Sequence, residues 1–150
     1  MKRLRICFDT SVIGGCLDEE FAEPSRALLE MVRRGQVTVL LSDLMAAEIR
    51  RAPESVVALF DSLPIESLEQ VVETDESRWL AGRYVEAGVL GPGSSADARH
   101  VAIATLAHAD MVVSWNFAHL VHFEKMRGFN AVNLREGYGP IEIHSPREVI

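Results

Sequence analysis

The stretch RICFDTSVIGG, Arg5–Gly15, decides how the chain is read. Ile6, Cys7 and Phe8 form an apolar run of the kind a strand shows when both its faces are covered. Asp9 follows at once, then the hydroxyl residues Thr10 and Ser11, then Val12-Ile13 and two glycines. A carboxylate at the end of a buried strand has two explanations. It caps the element that follows, as short polar side chains do at helix starts. Alternatively, it stands where open α/β sheets place their sites, beyond the carboxyl ends of the strands.

Working outward, strand and helix patterns alternate. EPSRALLEMVRRG (23–35) reads as a helix: Pro24 suits its first turn, Ala27, Leu28, Met31 and Val32 make one apolar face, and Gly35 stops it. VTVLL (37–41) is β-branched and apolar, hence a buried strand. Ser42 caps the helix DLMAAEIRRA, which Pro53 ends, and ESVVALFDSL (54–63) is a further short helix. QVVE (70–73) reads as a strand. Thr74 caps DESRWLAGRYVEAG, with acids in its first turn and Gly88 at its end. GPGSS (91–95) is a loop, and Ser94 or Ser95 caps ADARHVAIATLAHA. MVVSW (111–115) reads as a strand, FAHLVHFEKMRG (117–128) as a helix stopped by Gly128, and AVNL (131–134) and IEIH (141–144) as late strands. Strands alternating with helices of about a dozen residues predict an α/β fold with a mostly parallel sheet covered on both faces.

With 150 residues the chain is expected to be a single domain, 1–150, large enough for its own core. Its 48% hydrophobic and 25% charged residues are those of an ordinary globular protein. No apolar run approaches the roughly 18 residues a membrane span needs. Asp9 interrupts the first apolar stretch too early for a signal peptide, so a cytoplasmic address is expected. Cys7 and Cys16 do not form a disulfide framework, and Cys7 reads as a small buried hydrophobe. The net charge of −7 argues against broad, non-specific nucleic-acid binding, though not against a local basic surface. Arg33-Arg34 reads as a helix end, where positive charge suits the dipole. Arg50-Arg51 is open to either a helix-end or a phosphate-binding reading.

Asp9, Ser42 and Asn116 each fall just past a strand and should line one sheet edge. Glu48 lies on the helix after VTVLL, and Asp97 in the first turn of its helix. Asp9, Glu48 and Asp97 are therefore candidates for one cluster. Clustered carboxylates repel and need a cation or protons to coexist. Mg²⁺ or Mn²⁺ suits an all-oxygen site, activating water and stabilising charge on a phosphate. Taken singly, Asp9 is as well explained as a cap, Glu48 as a solvated helix residue and Asp97 as a first-turn acid.

In order, these segments resemble the PIN domain family, the nuclease fold found in VapC-type toxins. FDTSV is similar to its opening motif, with Asp9 as first acid beside Thr10 and Ser11. SDLMAAEIRR resembles the segment carrying the second acid, Glu48, and ADARHVAIAT the segment carrying the third, Asp97. MVVSWNFAHL resembles the closing motif, with Ser114 and Asn116. The resemblance implies a three-layer α/β/α sandwich and an Mg²⁺- or Mn²⁺-dependent endoribonuclease that hydrolyses RNA. Asp9, Glu48, Asp97 and Asn116 would then be its catalytic and metal-binding residues. It also implies a homodimer and the toxin half of a toxin–antitoxin pair, with an antitoxin protein as partner. Many relatives carry aspartate where this chain has Asn116. An amide can coordinate a hard cation through its oxygen or bond a metal-bound water, but adds no charge, so a second metal should bind more weakly.

Other readings are poorer. A haloacid-dehalogenase-type phosphatase needs a second aspartate where Ser11 stands. Gly14-Gly15 is not GxGxxG, and no Walker lysine follows. His119 and His122 lack further zinc ligands at suitable spacing. His119 is placed near the site edge, one turn past Asn116, and His100 reads as a packed core histidine near the cluster. Trp79 and Trp115 read as core or interface anchors. The rival from another class is a PIN-like interaction domain with weak or lost catalysis.

Overall fold

A computed structural model describes residues 3–150. The elements follow as β1 (Leu4–Phe8), α1 (Thr10–Gly15), α2 (Ala22–Arg33), β2 (Val37–Ser42), α3 (Asp43–Arg50), α4 (Glu54–Asp61), β3 (Leu68–Val71), α5 (Asp75–Glu86), α6 (Ser95–Leu106), β4 (Met111–Val113), α7 (Phe123–Arg135), β5 (Glu142–His144) and α8 (Pro146–Val149). The five strands form one sheet in the order β3-β2-β1-β4-β5, and every neighbouring pair is parallel. β1 is the centre, with Ile6 in register with Val39 of β2 and Met111 of β4.

The continuous apolar run of β1 follows from its two covered faces. Ile6 and Phe8 pack into one core with Val12, Leu28, Leu29, Met45 and Ile49, from α1, α2 and α3. Cys7, pointing the other way, joins Leu80, Tyr84, Val101 and Phe129, from α5, α6 and α7. Val39 and Leu40 of β2, and Val113 and Val112 of β4, divide between the layers in the same way. The result is the expected α/β/α sandwich. No helix among the described residues is long and apolar enough to cross a membrane.

Local signals worked where the cap and periodicity agreed. Ser42 Oγ accepts the Met45 N–H at 3.0 Å and starts α3. Thr74 and Ser77 form a reciprocal capping box at α5. Gly35, at φ 71°, lies just past α2. Three expectations need correction. The β3 strand lies at 68–71 rather than 70–73. The segment 117–120 forms turns, and α7 starts only at Phe123 and runs straight through Gly128. Gly128 is there for packing: a Cβ on it would come within 3.0 Å of Val89 Cγ1. AVNL is therefore helical, not a strand. Its buried Asn133 accepts from Tyr84 OH and donates to Thr105 Oγ1 and the Gly139 carbonyl, so a polar side chain locks α7 onto α5 and α6.

Candidate active site

The chain winds from β1 to β2 and β3 on one side, then returns to β4 and β5 on the other. The order reverses between β1 and β4, and the crevice beyond their carboxyl ends is where doubly wound sheets place ligands. Asp9 leaves β1 there, and Ser114, Trp115 and Asn116 leave β4. α3 brings Glu48, and the first turn of α6 brings Asp97. Ser42, at the end of β2, is spent on capping α3.

Both readings of Asp9 hold together. It is the N-cap of α1, its Oδ1 accepting the Ser11 N–H at 3.1 Å and the Ser11 hydroxyl. Its Oδ2 accepts from Ser114 Oγ at 2.7 Å. Ser114 Oγ in turn accepts the Asn116 N–H at 2.9 Å, and Ser11 Oγ accepts the Trp115 N–H at 3.0 Å. The two hydroxyls thus join the ends of β1 and β4 around one carboxylate. Behind them Trp115 donates its indole N–H to the buried Ser25 Oγ at 2.8 Å and stacks on Phe21 at 4.1 Å. The close approach needs Gly15, where a Cβ would lie 2.4 Å from Ser25 Oγ.

Glu48 meets His100, whose Nε2 is 3.0 Å from each carboxylate oxygen. His100 is thus a packed histidine that touches the cluster. Asn116 is beside Asp97: its Nδ2 donates to Asp97 Oδ2 at 3.4 Å, and its Oδ1 accepts the His119 N–H at 3.0 Å. The amide oxygen is therefore committed to the backbone of the following turn, and the amide nitrogen faces the acid.

The acids act on one another electrostatically. Burial pushes the Asp9 carboxyl above its ordinary value, against the Ser11 and Ser114 hydrogen bonds and the nearby His100. Asp97 is likewise raised, first by burial, then by the Asp9 charge, with Glu48 adding and His100 and His119 opposing. Oxygen donors under mutual repulsion are the donor chemistry of a hard divalent cation, and in this respect Asp9, Glu48 and Asp97 fit one. Among the described residues, no three His, Cys, Asp or Glu side chains already stand in metal-holding geometry. Glu48 turned toward His100 is consistent with that.

A second set of contacts holds α3 against α6. The buried Glu73 takes a bidentate pair from Arg99 of α6, at 2.6 Å for both bonds, and Arg78 lies 3.5 Å away. The Arg99 guanidinium holds the Glu73 carboxyl below its usual range. Asp43, the first residue of α3, accepts the Glu73 N–H at 2.8 Å. The helices that carry Glu48 and Asp97 are thereby tied to one buried residue.

The PIN domain family profile matches residues 5–118, from the start of the Asp9 strand to just beyond Asn116. The chain belongs to the PIN domain family. Solved PIN-like structures share its fold. VapBC2 from Rickettsia felis, bound to a DNA fragment from their promoter, is 15% identical, with a TM-score of 0.60 over 94% of this chain and 98% of that one. FitAB bound to an IR36 DNA fragment is 16% identical, with a TM-score of 0.59 over 94% of each chain. FitAcB from Neisseria gonorrhoeae is 15% identical, with a TM-score of 0.60 over 95% of this chain and 98% of that one. No curated protein matches the chain.

In this PIN domain the four expected residues fall at one sheet edge, from four separate segments. Sequence reasoning missed the Glu73–Arg99 tie and Arg147. The latter places its guanidinium 5.2 Å from the Trp115 ring centre and 5.8 Å from that of Phe21. Neither has a local sequence signal, because each partner lies on a distant element. Trp79 was expected as an anchor and is half exposed, with Arg83 above its ring.

Proposed function

We propose that this PIN domain is a metal-dependent endoribonuclease, the toxin of a toxin–antitoxin pair. The carrying observation is that Asp9, just past β1, and Glu48 of α3 both raise the carboxyl of Asp97 on α6, at the end of the sheet where its strand order reverses. Asp9, Glu48 and Asp97 would hold Mg²⁺ or Mn²⁺, and the ion would supply water activation and charge neutralisation at the phosphate. Ser11 and Ser114 hold the Asp9 carboxylate through both of its oxygens. Asn116 belongs to the same set from the side of Asp97, orienting that acid through its amide nitrogen. His100 positions Glu48. The substrate is RNA.

Family membership supports the nuclease reading, and the likeness to VapBC2 and FitAB supports a second protein as partner. A homodimer, a cytoplasmic location and a single domain over 1–150 belong to the same proposal. A second reading, an interaction domain without catalysis, draws on the Glu48–His100 pairing and the uncharged Asn116. Cleavage of single-stranded RNA in Mg²⁺ or Mn²⁺ separates the two. We expect cleavage that stops in excess EDTA and is lost in Asp9→Asn. Cleavage undiminished by EDTA overturns the metal mechanism, and no cleavage with either ion favours the interaction domain.

A further inference from the structure

Beside Ser11 opens a cleft of about 660 Å³ that touches the acid cluster only through Glu48. α1 supplies one wall, with Thr10, Gly14 and, just past its end, the half-exposed Leu17. Arg51, after α3, and Pro53, Ser55 and Val56, around the start of α4, supply the other. The volume falls within the range of small-molecule sites, about 300–1,000 Å³.

Gly14 is the telling residue. It sits inside α1, where glycine is a poor helix former. Its neighbour Gly15 has a packing reason, since a Cβ there would collide with Ser25 and Trp115. Gly14 has none: a Cβ on it meets nothing within 4 Å, and its φ is not positive. The space kept open by its missing side chain is the cleft itself.

We propose that this cleft takes one nucleobase of single-stranded RNA, the base next to the phosphate that is cut. The inference rests on the ribonuclease reading and adds a specificity site to it. The half-exposed Leu17 and the exposed Pro53 offer apolar surface to the base faces. Thr10 and Ser55 hydroxyls offer hydrogen bonds to its edge. Arg51 is exposed at the rim and supplies the positive charge that the adjoining phosphate requires in a chain whose net charge is −7. Glu48 lines the same cleft, so a base seated there is next to one of the three acids.

The test compares cleavage of one RNA oligonucleotide with versions carrying a single abasic ribose beside the scissile phosphate. Wild type should lose at least about tenfold in kcat/KM when that base is missing. Gly14→Leu, which fills the cleft from α1, should lose a similar factor on intact RNA and nothing further on the abasic RNA. Ser55→Phe fills the cleft from the exposed opposite wall and should behave alike, which keeps the test sound if one variant misfolds. Gly14→Ala should melt above wild type, because only the cleft and not the packing asks for glycine. Folded variants that cut intact RNA as wild type does, or a wild type indifferent to the missing base, overturn the cleft while the nuclease stands. A wild type that cuts no RNA overturns both.

Discussion

Ser114→Ala tests whether Asp9 is held as an ion. Ser114 is fully buried, donates to Asp9 Oδ2 at 2.7 Å and accepts the Asn116 N–H at 2.9 Å. A hydrogen bond to a charged group contributes about 2 kcal/mol, and an orphaned buried N–H costs about 1 kcal/mol. With Asp9 ionised the mutant should therefore be about 3 kcal/mol less stable, roughly a hundredfold in the folding equilibrium. The pH dependence has a definite sign. Burial raises Asp9 above its ordinary value and the Ser114 bond pulls it down, so the mutant's Asp9 is raised further. A carboxyl raised by folding makes the native state bind more protons than the unfolded chain. Stability is then lost as pH rises from the ordinary carboxylate range through the raised value, and in the mutant that loss continues to higher pH. The gap between the two proteins should be smallest in acid, where Asp9 is protonated in both, and grow with pH to a plateau. Urea unfolding in EDTA at intervals from about pH 4 to about pH 8 measures it, with carboxylates distant from Ser114 cancelling in the difference. A gap constant over that range, or one that widens toward acid, refutes the reasoning.

Asp97→Asn should melt level with or slightly above wild type without metal, since it removes a charge that Asp9 and Glu48 disfavour by ~1 kcal/mol. Adding Mg²⁺ should reverse the order, because only wild type gains by binding the ion in its folded state; a mutant lower by the same margin in both conditions sinks the metal role of Asp97. Asn116→Asp should melt lower than wild type in EDTA at neutral pH, since it replaces the donor facing Asp97 by a carboxylate, and should bind Mn²⁺ more tightly by calorimetry. Equal melting and equal Mn²⁺ affinity would show that residue 116 lies outside the site.

The parts of this fold that were legible in the sequence are those with local causes. Ile6-Cys7-Phe8 could be read as doubly buried because a central parallel strand has no polar face. Ser42 and Thr74 announced α3 and α5 because capping is decided within four residues. The end of the chain was misread for the same reason. Gly128 looks like a helix stop until Val89, 39 residues earlier in the chain, explains it as a close contact. Val132 and Asn133 look like strand residues until their partners on α5 and α6 are known. The acids were legible as positions past strands and in first turns. How they are held was not: His100 against Glu48 spans 52 positions and Ser114 against Asp9 spans 105. Nothing in local pattern encodes such pairs.

The way the site is held also bears on whether it is used. Asp9 and Asp97 both have carboxyls raised by burial, so each ionised acid weakens the metal-free fold. An interaction domain could shed that cost by substituting either acid with its amide. This chain instead keeps both and surrounds Asp9 with three donors, from the Ser11 N–H, the Ser11 hydroxyl and Ser114, that favour its charged form. It also fixes α3 to α6 through the buried Glu73, which takes Arg99 in two bonds and gives its N–H to Asp43. That tie stabilises the placement of Glu48 relative to Asp97 without entering the cluster. Repulsion retained at the acids, together with separate devices that hold them in place, supports the proposed cation site over the interaction-domain reading. The uncharged Asn116 fits within it: turned by the His119 N–H, its amide nitrogen faces Asp97 and adds no further negative charge to a pocket already short of positive charge.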